Sequence, residues 1–373
     1  MALSLIEGNE AVGRAAIAAG CRFFAGYPIT PATTILNTML TLLPPIGGVC
    51  LQAEDEIASI GACLGASMAG LKVMTATSGP GISLYSEHIS FAVGSEIPIV
   101  IVDVQRLGPS TGSATRGADG DVNFLRWGNS GGMPVVVLAP VDVADCFTLT
   151  IHAFNLAEKF RCPVFLASNK EIAMTRESID ADALEKPDII NRAGSPAGTP
   201  FLPFQVKADQ TVPNFLPIGA DVPVRQTSST HGENGYITTD QREISRLLKR
   251  LKTKLESAVA EFSFYELHKV DNSKILLITY GVSARAAKAV FKELKNTGQP
   301  ISLLILKTLW PLPEEVISRA AKGFKRVVVV EMNLGQYVQE IKRILADRHV
   351  DFYGQMDGRL ITPLKIKETI LNG

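Results

Sequence analysis

The sequence lacks the signals of several protein classes. Its 37 basic and 37 acidic residues balance, so there is no basic excess of the kind that binds nucleic acid or an anionic membrane surface. No apolar run reaches about 18 residues, which leaves no candidate for a membrane span. The first residues carry acids instead of a basic segment, so we expect no signal peptide and a cytoplasmic protein. We expect neither nucleic acid nor a membrane as a partner.

Paired cysteines are also missing. Five cysteines are present, none at CxxC spacing and all among apolar residues: Cys21, Cys50, Cys63, Cys146 and Cys162. We expect buried thiols in a reducing compartment rather than disulfides. The five histidines are scattered as well, so the chain offers no ligand set for zinc or an iron–sulfur cluster. We therefore expect no metal site in this chain.

What the sequence does contain is an alternation of short apolar segments with helical patterns. This alternation predicts an α/β fold with a parallel sheet over residues 1–175. Residues 176–272 are predicted to form an extended connector, rich in proline and glycine, that ends in a charged helix over 239–260. A second alternation predicts a smaller α/β domain over 273–373. The glycine-rich stretch 106–132 has no period and is expected to be a functional loop.

Three acids stand where a predicted strand over 48–52 ends. Glu54, Asp55 and Glu56 precede a helix whose residues are almost all small, from Ala58 to Gly70. Such a helix can approach another backbone or a planar cofactor closely. Acids at a strand's carboxyl end lie where open α/β sheets place their chemistry. The same acids could simply favour the dipole at the start of the helix.

Other predictions concern the start of the chain. Residues 5–20 are expected to form a helix, and a second helix is expected to begin at Pro31 with Thr30 as its N-cap. Ser78, Gly79, Pro80 and Gly81 are expected to form a turn after a strand over 73–77. Its glycines would allow close approach to a ligand, although the lysine of a Walker motif is absent.

Four ordered motifs, together with the second domain, resemble one family. The motifs are GYPITPATT (26–34), EDEIASIGACLGASMAG (54–70), TATSGPGISL (75–84) and DVQRLGPSTG (103–112). They resemble the α subunit of the 2-oxoacid:ferredoxin oxidoreductases, which use thiamine diphosphate. The segments ITYG, LKTLWPLP (306–313) and VVVVEMN (327–333) look like the transketolase C-terminal-type domain of those subunits. The resemblance covers essentially the whole chain, and it is less specific for the substrate.

The resemblance implies that this chain supplies the pyrimidine-binding half of a shared site. A separate β subunit would carry the diphosphate-binding domain, Mg²⁺ and a [4Fe–4S] cluster, and γ and δ subunits could be present. The implied assembly is a heterodimer of dimers that reduces ferredoxin and uses coenzyme A as co-substrate. The sequence agrees, because it lacks a diphosphate motif of the usual thiamine type and clustered cysteines.

The family also implies roles for single residues. Thiamine catalysis needs a carboxyl group at N1′ of the aminopyrimidine. Glu56 and Glu54 are the candidates, and Glu56 is preferred because related domains carry a glycine nine positions after the acid, as Gly65 is here. Thr30, besides its N-cap role, would contact the substrate near the reacting carbon. Tyr27 and Pro28 would shape the same turn, and Ser78 and Gly79 would contact the cofactor or the partner.

Arg106, at the end of a predicted strand, would bind the 2-oxoacid carboxylate bidentately, unless it is only a surface residue. Arg116 and Arg126 are candidates for a second anionic group, such as a distal carboxylate or a coenzyme A phosphate, or for pairing with Asp119 or Asp121. His231 would either reach the substrate from the connector or be an ordinary loop histidine.

The predicted reaction is oxidative decarboxylation of a 2-oxoacid to an acyl-CoA and CO₂. The length, the connector and the loop arginines resemble the 2-oxoglutarate branch of the family. Branched-chain or aryl 2-oxoacids, a thiamine-dependent transferase without redox chemistry, and a scaffold subunit without activity are the alternatives.

Overall fold

The computed structural model of the protein describes residues 3–180, 184, 186–195, 201–208, 210–219 and 221–372. The strands, in chain order, are β1 (Leu3–Glu7), β2 (Cys21–Gly26), β3 (Val49–Gln52), β4 (Lys72–Thr77), β5 (Ile99–Gln105), β6 (Val136–Leu138), β7 (Pro163–Asn169), β8 (Arg176–Asp180), β9 (Tyr265–His268), β10 (Ile275–Tyr280), β11 (Ile301–Leu306), β12 (Thr308–Trp310), β13 (Arg326–Glu331) and β14 (His349–Gly354).

The α-helices are α1 (Gly8–Ala18), α2 (Thr33–Leu42), α3 (Glu56–Met68), α4 (Pro80–Leu84), α5 (Ser86–Gly94), α6 (Val122–Trp127), α7 (Val143–Phe160), α8 (Lys170–Ala173), α9 (Gln241–Glu256), α10 (Ser283–Leu294), α11 (Glu314–Ala321), α12 (Val338–Ile344) and α13 (Pro363–Asn372). Short 3₁₀ turns occupy Pro44–Ile46, Ser130–Gly132 and Val259–Phe262. Among the described residues, no helix is long and apolar enough to cross a membrane.

A seven-stranded sheet organises the first half of the chain. Its strand order is β12-β6-β7-β5-β4-β2-β3, and every pair is parallel except β12 with β6. The central strands are apolar over most of their length and buried on both faces, as parallel strands covered by helices must be. The alternating pattern of the sequence predicted this sheet correctly.

A five-stranded sheet of order β14-β13-β10-β11-β9 forms the second half, with β9 antiparallel at its edge. The two halves share their cores, because one apolar cluster contains Phe165 of the first sheet together with Leu276, Trp310 and Tyr337. Strand β12 crosses between them: it follows β11 in sequence and pairs with β6. The interface is therefore a continuous packed core.

Several sequence predictions need correction. The helix predicted over 5–20 is two elements, because Leu3–Glu7 forms a strand that pairs with β8 in an antiparallel two-stranded sheet. The second helix begins at Thr33 with Ala32 at its N-cap and no side-chain cap, so the N-cap role of Thr30 is wrong. The loop predicted over 106–132 contains helix α6.

The domain limits 1–175, 176–272 and 273–373 stay a prediction. Residues 181–183, 185, 196–200, 209 and 220 of the predicted connector lie outside the described residues. Within its described part, the connector ends in the charged helix, observed as α9, and then contributes β9 to the second sheet. Four of the five cysteines are buried, as predicted, whereas Cys50 is half-buried, and all five are free thiols.

Candidate functional site at the carboxyl edge of the first sheet

The predicted site residues follow four neighbouring parallel strands at the point where each strand ends. Strands β2, β3, β4 and β5 end at Gly26, Gln52, Thr77 and Gln105 and are paired in the order β3-β2-β4-β5. Parallel neighbours bring their carboxyl ends to one edge of the sheet. The segments that carry Thr30, Glu56, Ser78 and Arg106 therefore meet at that edge.

The structure separates Glu56 from Glu54 by burial. Asp55 is the N-cap of α3, and its carboxylate accepts a hydrogen bond from the Ala58 amide at 2.7 Å. Glu56 follows as the first helical residue and is 7% exposed, whereas Glu54 is exposed. An acid that served only the helix dipole would not need to be buried. Of the two acids, Glu56 is the one enclosed by the protein.

Gly81 shows where the Glu56 side chain lies. A Cβ placed on Gly81 would stand 1.9 Å from Thr77 Oγ1 and 2.8 Å from Glu56 Oε1. The Glu56 carboxyl group is thus packed against the turn that follows β4. In the same turn Gly79 has φ +33°, a conformation that glycine adopts most easily. The turn carries buried hydroxyl groups, and those of Thr77 and Ser78 have no partner among the described residues.

Arg106 crosses from the end of β5 toward the segment after β2. Its Nη1 donates to the Thr30 carbonyl at 2.7 Å and its Nη2 to the Thr111 carbonyl at 2.8 Å. The residue is 6% exposed, so it is not an ordinary surface arginine, and its Nε has no partner in the described structure. Desolvation lowers the pKa of Arg106, and the charges of Asp121 and Glu56 oppose that shift.

The turn after β2 lies on the open side of this cluster. Thr30 is exposed and contributes its carbonyl to Arg106, while its predicted contact with a substrate stays a prediction. Tyr27 is 39% exposed and Pro28 is half-buried.

The structure does not bring His231 to this cluster. Its ring is 2% exposed, lies 3.8 Å from the Phe204 ring between centroids, and hydrogen-bonds through Nδ1 to the Ser229 carbonyl at 2.6 Å. Desolvation lowers its pKa. It shares a groove with Arg250, which binds Glu96 just before the amino end of β5. Strand β5 spans roughly 20 Å, so within this chain His231 and Arg106 lie at opposite edges of the sheet, which favours the alternative of an ordinary loop histidine.

The two loop arginines have different surroundings. Arg116 is exposed, and a Cβ on Gly358 of the second domain would stand 2.9 Å from its Cβ. Arg126 stacks on the Trp127 ring at 4.0 Å and donates to the Met133 carbonyl. No ion pair joins either arginine to Asp119 or Asp121 among the described residues. Arg116 stays a candidate for a second anionic group.

Sequence reasoning missed Asp103 at this edge and considered Asp119 and Asp121 only as ion-pair partners of the loop arginines. Asp103 is fully buried near the end of β5, and Asp119 and Asp121 follow it in the loop. Asn169 Nδ2 donates to Asp119 Oδ1 at 2.8 Å, and the Asp121 amide donates to Gln105 Oε1 at 2.9 Å. The sequence signal of Asp103 is an acid inside the apolar strand IVIVDVQ. Burying an acid is costly unless another group compensates for it or the acid has a function.

The second domain holds this loop in place. Asn333 Nδ2 donates to the Asp119 carbonyl at 2.9 Å, and the Asp119 amide donates to the Met332 carbonyl at 2.8 Å. Gln336 Nε2 donates to the Gly120 carbonyl at 2.5 Å. The loop that borders Arg106 is therefore fixed by the segment after β13, which gives the second domain a part in building the site.

The residues at this edge fit the aminopyrimidine part of thiamine diphosphate. Thiamine catalysis needs a carboxyl group at N1′ of the aminopyrimidine. Glu56 is a buried carboxyl group near the hydroxyl groups of Thr77 and Ser78, which have no partner among the described residues. Among the described residues, no group of three His, Cys, Asp or Glu side chains is placed to hold a metal ion.

Comparisons with known proteins identify the family of the chain. Residues 14–250 match the family described as pyruvate flavodoxin/ferredoxin oxidoreductase, thiamine diphosphate-binding, and residues 273–366 match pyruvate:ferredoxin oxidoreductase core domain II. The chain is 40% identical to the 2-oxoglutarate synthase subunit KorA of Methanothermobacter marburgensis, over 98% of both chains. It is 33% identical to the ketoisovalerate oxidoreductase subunit VorB of Methanothermobacter thermautotrophicus, over 99% of this chain and 97% of that one.

Solved structures show the same fold. A structure of the 2-oxoglutarate:ferredoxin oxidoreductase from Magnetococcus marinus, with 2-oxoglutarate, coenzyme A and succinyl-CoA bound, matches with a TM-score of 0.93 at 34% identity. The match covers 99% of this chain and 65% of the longer chain in that structure. A split-gene transketolase matches with a TM-score of 0.58 at 12% identity, which concerns the fold alone. These findings confirm the fold class and the resemblance: the chain belongs to the 2-oxoacid:ferredoxin oxidoreductase family and is a subunit that carries its thiamine-diphosphate-binding domain.

Proposed function

We propose that this chain is the α subunit of a complex that oxidatively decarboxylates 2-oxoglutarate, with coenzyme A as acyl acceptor and ferredoxin as electron acceptor. The supporting observation is the convergence of buried Glu56 and buried Arg106 at the carboxyl edge of the first sheet. The names of the relatives at 40% identity favour 2-oxoglutarate over the branched-chain 2-oxoacids of relatives at 33%.

Glu56 is proposed to act on the cofactor. When bound, thiamine diphosphate supplies the nucleophilic carbon and the electron sink for decarboxylation. Glu56 would hold a proton at N1′ of the aminopyrimidine, and its enclosure keeps water from competing for that proton. Thr77 and Ser78 would supply hydroxyl groups next to the ring, since theirs lack partners among the described residues.

Arg106 is proposed to bind the substrate carboxylate next to the reacting carbon. The Thr30 and Thr111 carbonyls fix the guanidinium plane, and burial strengthens its attraction for an anion. Thr30 is proposed to contact the substrate itself, and Arg116 to meet a distal carboxylate or a coenzyme A phosphate. His231 has no role in this proposal.

A β subunit is proposed to cover this edge and to carry the diphosphate-binding domain, Mg²⁺ and a [4Fe–4S] cluster. The small-residue face of α3 is open, since a Cβ on Gly65 would meet nothing within 4 Å. Apolar side chains surround it: Ile57 is 46% exposed, Leu84 47% and Leu51 43%. An apolar surface with a flat, small-residue centre suits close packing against another chain. Additional γ and δ subunits, a heterodimer-of-dimers assembly and a cytoplasmic location stay predictions.

The test is an assay of the chain purified with the subunits that accompany it. We expect reduction of a low-potential viologen dye that depends on both coenzyme A and 2-oxoglutarate. If a branched-chain 2-oxoacid supports reduction of the dye and 2-oxoglutarate does not, the proposed reaction stands but the proposed substrate is wrong. A complex that binds thiamine diphosphate but reduces the dye with none of the acids would favour a transferase, and a chain that purifies without partners or cofactor would favour a scaffold.

The role of Glu56 is tested by Glu56→Gln, with Glu54→Gln as matched control. Exchange of the C2 proton of bound thiamine diphosphate, followed by NMR, should be lost in the first variant and kept in the second, because only Glu56 is enclosed. Assembly should be intact in both. The opposite pattern of exchange would assign the role to Glu54.

A further inference from the structure

Asp103 and Asp121 form a buried pair of acids behind Arg106. Asp103 is fully buried, and neither of its carboxylate oxygens has a hydrogen-bond donor among the described residues. Oδ2 of Asp121 is also buried without a donor. The two carboxyl groups lie within hydrogen-bonding reach of each other. Two ionised carboxylates have only acceptors to offer, so a proton must lie between them for the contact to be favourable.

The backbone keeps this pair together. Asp103 and Gln105 point to the same face of β5, because side chains two residues apart in a strand share a face. The Asp121 amide is hydrogen-bonded to the Gln105 side chain, and the loop before it is held by Asn333. Asp121 therefore cannot swing away from Asp103 without breaking contacts with both domains.

The pair adjoins the arginine. The charge of Asp121 acts on Arg106, and Arg106 acts on Asp121 in return, although no ion pair joins them in the described structure. The other charged groups around the pair are Asp119, which faces Asp103 and Asp121, and Glu56, which faces Arg106 from α3. Glu331 of the second domain faces Asp119. Acids thus outnumber cations here, and an anionic substrate would meet repulsion if all of them were ionised.

We propose that Asp103 and Asp121 share one proton, so that together they place a single negative charge beside Arg106 and leave it able to attract an anionic 2-oxoacid. The two acids are positioning residues, which set the charge around Arg106 without touching the substrate. This inference rests on the proposed role of Arg106.

The pKa shifts of the two acids agree with a shared proton. Burial, followed by the charge of Asp121, raises the pKa of Asp103 well above its usual value. Burial also raises the pKa of Asp121 to about 6, against the opposing effects of Asp103 and Arg106. As the pH rises through the higher of the two pKa values of the pair, the shared proton leaves and a second negative charge appears. The affinity for an anionic substrate should then fall.

The first experiment looks for the proton itself. Infrared difference spectra of the assembled complex should contain the carbonyl stretch of a protonated carboxylic acid that shifts in D₂O. The band should disappear in Asp103→Asn, since an amide replaces the more deeply buried acid and Asp121 then ionises. In Asp121→Asn the band should change frequency, since burial still favours a protonated Asp103 but its carboxylate partner is gone. A wild-type spectrum without any band that Asp103→Asn removes and Asp121→Asn shifts would overturn the shared proton.

The second experiment measures KM for 2-oxoglutarate in the complex from about pH 6 to about pH 9, with KM for coenzyme A and kcat alongside. In the wild type, KM should rise about three- to tenfold toward alkaline pH, because one extra negative charge beside Arg106 weakens its attraction for an anion. In Asp103→Asn, KM at neutral pH should stay within about threefold of wild type and the alkaline rise should vanish, because the amide mimics the protonated acid and cannot ionise. If Asp103→Asn fails to fold, Asp121→Asn should still shift the pH of the alkaline rise, because Asp103 then titrates without its carboxylate partner.

The outcomes separate this inference from the proposed function. An alkaline rise that persists unchanged in both variants, or a loss that falls equally on kcat and on KM for coenzyme A, would overturn the positioning role. A complex that shows the infrared band but oxidises no 2-oxoacid would contradict the proposed function and, with it, the link to a substrate. A complex that oxidises 2-oxoglutarate without the band would contradict the shared proton alone.

Discussion

Glu96 anchors the helix α9 to the first sheet, and its replacement by glutamine should destabilise the protein strongly. Its carboxylate is fully buried and binds Arg250 Nη2 at 2.6 Å, Arg250 Nη1 at 2.8 Å and Lys254 Nζ at 2.9 Å. Both cations lie on α9. Removing one partner of a buried ion pair typically costs about 3–5 kcal/mol, because the other charge stays buried without compensation.

The pKa of Glu96 gives an independent magnitude. Burial would raise this pKa, but Lys254, Arg250 and Arg161 outweigh burial and hold it at about 2, against 4.5 for an ordinary glutamate. At about 1.4 kcal/mol per unit, the depression corresponds to about 3 kcal/mol of stability. Because the folded pKa is the lower one, this contribution is complete above about pH 4.5 and is lost as the pH falls toward 2.

Two measurements check this reasoning. Thermal unfolding of the complex should show a clearly lower midpoint for Glu96→Gln at pH 7, and the difference should shrink as the pH is lowered. Hydrogen exchange should increase first in α9, since that helix loses its anchor. Glu256→Gln is the matched control, because Glu256 pairs with Lys252 at the surface, where ion pairs contribute about 1 kcal/mol or less. Equal midpoints and equal α9 exchange in the two variants would refute the argument.

Three further predictions concern the site and its support. Gly81→Ala should abolish C2 proton exchange of bound thiamine diphosphate in NMR, because its methyl group displaces the Glu56 carboxyl, and normal exchange would contradict that packing. Arg106→Ala should lower kcat/KM for the 2-oxoacid by about 2–4 kcal/mol in transition-state terms, and an unchanged ratio in steady-state kinetics would exclude the role. Glu331→Gln should lower the free energy of unfolding by about 1–3 kcal/mol, measured by thermal unfolding, since its carboxylate accepts three buried hydrogen bonds. Half-buried Glu340, whose carboxylate binds Arg343 near the surface, is the control, and Glu340→Gln should cost about 1 kcal/mol or less.

The sequence predicted the helices and strands that are buried in the core, because burial imposes a regular spacing of apolar residues. The parallel strands and the second α/β unit are continuous apolar runs between amphipathic helices, so their periodicity is informative. Strand β1 was missed because Leu3 and Leu5 are exposed and the strand exists only through pairing with β8. Strand β12 was missed because its partner β6 is distant in sequence, and pairing over such distances leaves no local signal.

The candidate site likewise contains residues that the sequence indicated and contacts that it did not. Glu56 and Arg106 could be singled out from the sequence because each follows a predicted strand and matches a motif, and their roles stay proposals. The Asp103–Asp121 pair was not found, because the contact depends on how the loop returns to β5 and on the hold of Asn333 from the second domain. The position of His231 could not be predicted for a related reason, since an irregular connector gives no indication of which edge of the sheet it crosses.

Strand β12 also imposes an order on synthesis of the chain. Strand β6 has an uncovered edge until Thr308–Trp310 has left the ribosome, by which time most of the chain has already emerged. During that interval the nascent first sheet exposes unpaired backbone groups that can join strands from other chains. A protein truncated before β12 would keep that edge permanently. Expression of the first domain by itself should therefore require a chaperone or an added strand to prevent aggregation.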